Sequence, residues 1–393
     1  MKKIKAYLIL VIFFILSIIV CCKKNVPQGH VSISGRLIGG GGKPLYFATV
    51  HPKEIELLDS CTLNEEGFFK IKLAIAQPQF IKAYSNDTNF IILAAHPKED
   101  IYISGDYYQL DATYSVFGSP SSEIIHKYRS FTRKNLEKLH MLSIYWENHK
   151  YDNDNLNIKD SLDRKALEIF KNQRDSALAL INKNPEDFAN IFIIYQFFIN
   201  QPLFDEYHDL EIYQWVLSNL EKNYSDNEHV INLKMRINKI KTKIAERDSI
   251  LSRLAIGKPA PDFALPLWQS DSEFVLSLER GKSLLLHFFA GASLSSVKDM
   301  SKLKKLLPKL SKYKIKLITI FLDYDMETIA RAIDGEGINW TICYDLSSTR
   351  SPVAKLYAVE QLPMYYLIDA NGIIRDKAFT ADSINVSSIN TIQ

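Results

Sequence analysis

Leu362-Pro363-Met364-Tyr365-Tyr366-Leu367-Ile368-Asp369-Ala370-Asn371-Gly372 is an apolar stretch set between a proline and a glycine. Upstream of it, Ser283 to Ala290 is an apolar run of the kind that suits a strand covered on both faces. Met300 to Leu310 reads as helix, Ile315 to Phe321 as a second buried strand, Asn339 to Cys343 as a third short one, and Thr349 to Ala358 as another helix. The region opens with Ile256-Gly257-Lys258-Pro259-Ala260-Pro261-Asp262-Phe263, where two prolines forbid helix and force an extended start.

The opening string resembles that of TlpA/ResA-type thiol–disulfide oxidoreductases, which are AhpC/TSA-related and share it with peroxiredoxins. Ser277 to Lys282 resembles the turn before the family's central strand. Pro363, Tyr366, Leu367, Ile368, Asp369 and Gly372 fit the family's proline, Leu-Ile-Asp strand end and glycine turn in register. The resemblance implies a thioredoxin fold and a cis proline facing the redox site.

The family's central strand runs into an aromatic–Ala–x–Trp string and then Cys-x-x-Cys at a helix start. Here the string is Phe288-Phe289-Ala290-Gly291-Ala292-Ser293-Leu294-Ser295-Ser296-Val297-Lys298-Asp299-Met300. Phe289-Ala290 holds the register on the left and Asp299-Met300 on the right. The resemblance therefore sets Ser293 and Ser296 on the two cysteine positions, with Ala292 for the tryptophan. Exchange needs a thiolate, whose pKa a helix N-terminus lowers. A serine hydroxyl ionises far too weakly and forms no mixed disulfide. Ser293 lacks a base and an orienting acid for hydrolysis; it suits a helix cap instead. The expected degenerate site is thus Ser293, Ser296 and Pro363, with no catalytic residue, cofactor or metal.

Working outward, the chain has 393 residues, enough for two or three domains. A formal net charge of +3, scattered along the chain, argues against nucleic acid as a partner. Lys302-Leu303-Lys304-Lys305 reads as the wet side of a helix. From His30 to Gly118 short strands alternate with turns, as in a small β-sandwich. Asn64 to Gly67 is a turn signal, with Phe68 to Leu73 as the return strand of a hairpin. Ile33 to Leu37, Leu58-Asp59-Ser60, Gly67 to Phe69 and Gly118-Ser119 resemble the β-rich N-terminal domain of unknown function that precedes thioredoxin-like domains in lipoproteins of Gram-negative gut bacteria. From Ser121 to Ser252 the pattern is helical. Asn184 to Asp187 reads as a helix start, Phe188 to Asn200 as a buried apolar helix, and Trp146 and Trp215 as core. His140 and His149 stand nine apart, without metal-ligand spacing.

Met1 to Lys5 is basic, and Ala6 to Val20 is apolar but shorter than the roughly 20 residues of a membrane span. That pattern is a secretory signal. Ending at Cys21-Cys22, it resembles a bacterial lipoprotein signal, with Cys22 (or Cys21) lipidated and holding the chain on a membrane. Cys61 and Cys343 then remain, each read as a small buried hydrophobe.

The expected organisation is a signal peptide over 1–22, an all-β sandwich-like domain over 23–120, a helical domain over 121–252 and an α/β thioredoxin fold over 253–393. The expected function is a binding module for a protein or peptide partner in the envelope of a Gram-negative bacterium, lipid-anchored at the outer membrane and facing the periplasm. The alternatives are a thiol–disulfide oxidoreductase, a peroxiredoxin-like antioxidant of the cell envelope, and a structural envelope protein.

Overall fold

The computed structural model describes residues 29–390; the Ala6–Val20 run and Cys21-Cys22 lie outside the described residues. Two compact units divide the chain, one up to Ile240 and one from Lys241. The first begins with β1 (His30–Ile38), β2 (Pro44–Val50), β3 (Ile55–Thr62), β4 (Phe68–Ala74), β5 (Gln79–Tyr84), β6 (Phe90–Ala95) and β7 (Asp100–Asp106). A helical turn, α1 (Leu110–Thr113), and β8 (Ser115–Phe117) follow. They form two four-stranded sheets, ordered β4-β1-β7-β8 and β3-β2-β5-β6. Alternate apolar residues of both sheets, among them Val31, Ile33, Phe47, Ile81 and Ile101, enclose one core, as the period-2 pattern requires.

The expected hairpin across Asn64–Gly67 does not form. β3 pairs with β2, whereas β4 pairs with β1 in the other sheet. Leu63 is buried between them, so the turn carries the chain from one layer to the other.

Helices α2 (Pro120–His149), α3 (Asn155–Lys183), α4 (Ala189–Ile194), α5 (Leu210–Tyr224) and α6 (Glu228–Arg253) come next, with β9 (Phe197–Phe198) and β10 (Gln201–Pro202) after α4. Their core takes in Phe80 and Ala94 from the second sheet. Ser119 caps α2, and Ser119 and Ser122 both donate to the carbonyl of Ala94, tying the helix start to β6. The apolar run from Phe188 is not one helix. It stops at Ile194, whose carbonyl accepts from the Tyr213 hydroxyl at 2.9 Å. The chain then turns through Ile199 and Asn200, at φ 52° and 59°, between β9 and β10. Trp215 is 39% exposed and Trp146 half-buried, so neither is core. Among the described residues no helix is long and apolar enough to cross a membrane.

The second unit contains a hairpin, β11 (Ala264–Pro266) and β12 (Glu273–Val275). After it come β13 (Ser283–Phe289), α7 (Leu294–Lys312), β14 (Ile315–Phe321), α8 (Met326–Glu336), β15 (Thr341–Tyr344), α9 (Pro352–Leu356), β16 (Met364–Ile368) and β17 (Ile374–Ala378). The sheet order is β15-β14-β13-β16-β17. β13, β14 and β15 run parallel, with β16 antiparallel to β13 and β17 antiparallel to β16. Both faces of the sheet are covered. Leu284, Leu286 and Phe288 of β13 enter one apolar cluster. Leu285 and Phe289 enter the other, under Met300, Leu303, Leu306 and Leu310 of α7. The unbroken apolar run of β13 is the sequence imprint of that double burial. This unit is a thioredoxin-like α/β domain.

Candidate functional site

β13 ends at Phe289, and the chain crosses Ala290–Ala292 before α7 begins. Ser293 is the N-cap of α7. Its hydroxyl accepts from the Ser296 amide at 3.4 Å and lies 2.9 Å from Ser295 Oγ. Serine suits the position because its oxygen meets an amide that has no helical partner. Ser295 Oγ donates to the carbonyl of Leu362 at 2.7 Å. This hydrogen bond ties the helix start to the loop that carries Pro363, where the Leu362–Pro363 peptide is cis. Ser296 points inward: it is fully buried, and its hydroxyl has no hydrogen-bond partner.

Two carboxylates that the sequence reading gave no role fix this corner. Asp323, just past β14, accepts from the amides of Gly291 at 3.0 Å and Ala292 at 3.2 Å. Burial pushes its carboxyl up, against the two amide bonds. Gly291 has little room for a side chain, since a Cβ there would come within 2.9 Å of the Ala332 methyl. Asp299, one turn into α7, is 5% exposed. Its Oδ2 accepts from the Tyr365 hydroxyl at 2.8 Å and the Ala381 amide at 2.9 Å. Its Oδ1 is buried without a hydrogen bond, 3.8 Å from the Lys302 ammonium, which sits 3.0 Å from Asp382. Burial, reinforced by the charge of Asp299, pushes the Tyr365 phenol up. A signal for Asp299 was present in the sequence. It shares a helix face with Ser296, Met300 and Leu303, and an acid on an apolar face needs donors.

Ser295, Lys298, Asp299, Leu362, Pro363 and Phe379 line a groove of about 430 Å³. Phe379 is 51% exposed at its edge. The lining offers hydroxyls, the Asp299 carboxylate, the ammoniums of Lys298 and Lys302 and an apolar wall, and no thiol. Cys343, the one thiol of this unit among the described residues, is fully buried in β15, and burial pushes its pKa up to about 12. Cys61 lies in β3 of the other unit. It is free, and burial, then the charge of Asp59, push its thiol up to about 11. His287 is buried in β13, with Nδ1 3.1 Å from Thr319 Oγ1 and the ring stacked on Tyr365, and serves Ser293 in no way. No group of three or more histidine, cysteine, aspartate or glutamate side chains suited to a metal occurs among the described residues.

A parallel βαβ core extended by an antiparallel hairpin, with a cis proline against the first helix, defines the thioredoxin-like class. Within that class, residues 256–377 match the model of the AhpC/TSA family. Among solved structures, the chain is 32% identical to the C-terminal domain of a protein described as a thiol-disulfide oxidoreductase from Bacteroides thetaiotaomicron. That match covers 31% of this chain and 86% of the other, with a TM-score of 0.29. A thiol-disulfide oxidoreductase from Bacteroides fragilis is 29% identical over 34% of this chain and 95% of its own, with a TM-score of 0.30. A protein described as the thiol:disulfide interchange protein DsbE from Chlorobium tepidum is 23% identical over 31% and 84%, with a TM-score of 0.28. No curated protein matches the chain.

Proposed function

We propose that this protein is an exported, lipid-anchored envelope protein whose thioredoxin-like domain binds a protein or peptide partner and performs no thiol–disulfide exchange. The observation that carries the reading is the chemistry at the start of α7. Ser293 caps the helix and Ser296 lies in its first turn, and neither supplies a thiolate. The groove beside Pro363 is independent of sulfur, and an extended chain can pair with backbone there. The second reading, a working thiol–disulfide oxidoreductase, is favoured by the match of residues 256–377 to the AhpC/TSA family model.

The full chain in detergent separates the two. With dithiothreitol present it should reduce insulin disulfides no faster than buffer. The Ser293→Cys, Ser296→Cys double variant should form an internal disulfide and gain exchange, slowly because Ala292 stands where the family has tryptophan. Catalytic reduction by the unaltered protein would establish the enzyme instead. For the anchor, a fatty-acid analogue should label the cells' protein, and replacing both Cys21 and Cys22 by Ser should remove the label. Undiminished labelling of that double variant would remove the lipoprotein claim.

A further inference from the structure

We propose that the outer face of the first sheet, ordered β4-β1-β7-β8, lies on an anionic lipid surface, the bilayer that holds the chain's anchor. The proposal rests on the reading of Cys22 (or Cys21) as lipidated, and not on the reading of the serines. The inner faces of both sheets close on their shared core. The outer face of the β3-β2-β5-β6 sheet is covered, since Phe80 and Ala94 enter the helical core. The outer face of the first sheet is exposed, and its strands alternate core positions with the side chains described next.

Strand register sets rings and cations side by side. Lys70 stands opposite Ser34, Ser34 opposite Tyr102, and Tyr102 opposite Phe117, in one row across all four strands. In the next row Arg36 stands opposite Phe68, with its guanidinium 5.2 Å from the ring centre. Phe68, Tyr102 and Phe117 are 47%, 41% and 58% exposed. Single exposed rings are ordinary on a protein surface, but three within two adjacent rows, beside cations, mark a contact face. Ser34 is small, so Lys70 and Tyr102 project past it. Such a face matches the boundary of a bilayer, where aromatic rings settle at headgroup level and lysine and arginine reach anionic headgroups.

The charges on the face are of both signs but are segregated. Arg36, Lys70 and Lys72 are its cations; Asp100, in the row of Lys72 and Ser32, and Asp106, opposite Ile38, are its carboxylates. Both carboxylates are on β7, two strands or about 10 Å from Lys70 and Lys72 on the edge strand β4. The positive side of the face is therefore the β4 edge, and Lys23 and Lys24 of the tether add to it.

The tether indicates what covers the face. Eight residues lead from Cys22 to His30, where β1 begins, and a chain of that length spans at most about 29 Å. β1 is an inner strand of this same sheet, between β4 and β7. A lipid at Cys22 thus keeps the sheet within that reach of the bilayer, and at so high an effective concentration contacts too weak to bind a free protein stay made.

Hydroxyl-radical footprinting of the lipid-anchored protein, purified from membranes, tests this. The protein is placed on vesicles of phosphatidylglycerol and phosphatidylcholine in equal parts, on vesicles of phosphatidylcholine alone, or in detergent. Tyr151, 87% exposed between α2 and α3, is the internal standard. On the anionic vesicles oxidation of Phe68, Tyr102 and Phe117 should fall severalfold relative to Tyr151, and on phosphatidylcholine alone much less. The chain carrying Arg36→Glu, Lys70→Glu and Lys72→Glu, all at exposed positions, should lose that protection while still floating with the vesicles. Rings as reactive on anionic vesicles as in detergent, in a protein that floats, would overturn the contact and leave the anchor standing. Protection that survives the triple substitution would overturn it too, since the surface would not be read by charge. Protection already complete in detergent would do the same, because a protein or a second copy would then cover the face. A chain that does not float loses the anchor, and this contact with it.

Discussion

His287 lies in the middle of β13, fully buried, with its ring 4.6 Å from that of Tyr365 and nearly parallel to it. Nδ1 meets Thr319, and Nε2 has no partner. Burial alone lowers its pKa from 6.5 to about 3. Between those values the unfolded chain binds a proton that the folded chain refuses. Stability therefore rises with pH across that window and is lost as the solution is acidified below about 6.5, by at most about 1.4 kcal/mol per pH unit. His287→Phe keeps the stacked ring, and Thr319 still accepts from Trp340. Urea melts of the two proteins from pH 7 to pH 4 should show a stability difference that shifts steadily in the variant's favour on acidification. A difference that stays flat would mean that the imidazole takes up its proton in the folded state. Strand alternation puts His287 on the same face of β13 as Phe289, and their rings meet at 5.4 Å. Its contact with Tyr365 comes from the antiparallel register of β16, a long-range pairing that no local pattern records.

At the scale of elements, the sequence is legible wherever one periodicity dominates. β1 alternates buried and open positions along its length, and β13 is apolar throughout because two clusters share it. Reading fails where a run fits two periods. Phe188 to Asn200 is apolar at almost every position, so helix and strand predict the same composition. Ile199 and Asn200 in the left-handed region at the run's end, and the Tyr213 hydroxyl from a segment 19 residues beyond Ile194, decide for a short helix followed by a hairpin. The turn at Asn64–Gly67 is real, but whether the next strand returns to the same sheet depends on β1 and β2 competing as partners. The corner around Ser293 was half visible. The cap and the proline belong to local motifs, whereas Asp323, which gathers the amides of Gly291 and Ala292, lies 31 and 32 residues away in sequence.

On the scale of the molecule, the apolar clusters partition as the units do. Two draw on residues between Val31 and Ile237, and two on residues between Ile250 and Ile389, with no residue in common. The stretch of α6 that opens the second unit, Lys241 to Ser249, is mostly exposed and polar, giving little core of its own. Damage to one core should then stay in its own unit. Leu286, fully buried in β13, is a fitting site, since Leu→Ala in such a place costs about 2–5 kcal/mol. In hydrogen exchange of the Leu286→Ala chain, the most protected amides of β13 and β16 should exchange on the order of thirty-fold faster or more, the lower end of that range at 1.4 kcal/mol per tenfold. Amides of β1 and β7, which pair in the first sheet of the other unit, should keep their rates. Acceleration of β1 and β7 to the same degree would show that the two units unfold as one, because only global opening carries the loss of a methyl cluster in β13 to a sheet that shares none of its side chains.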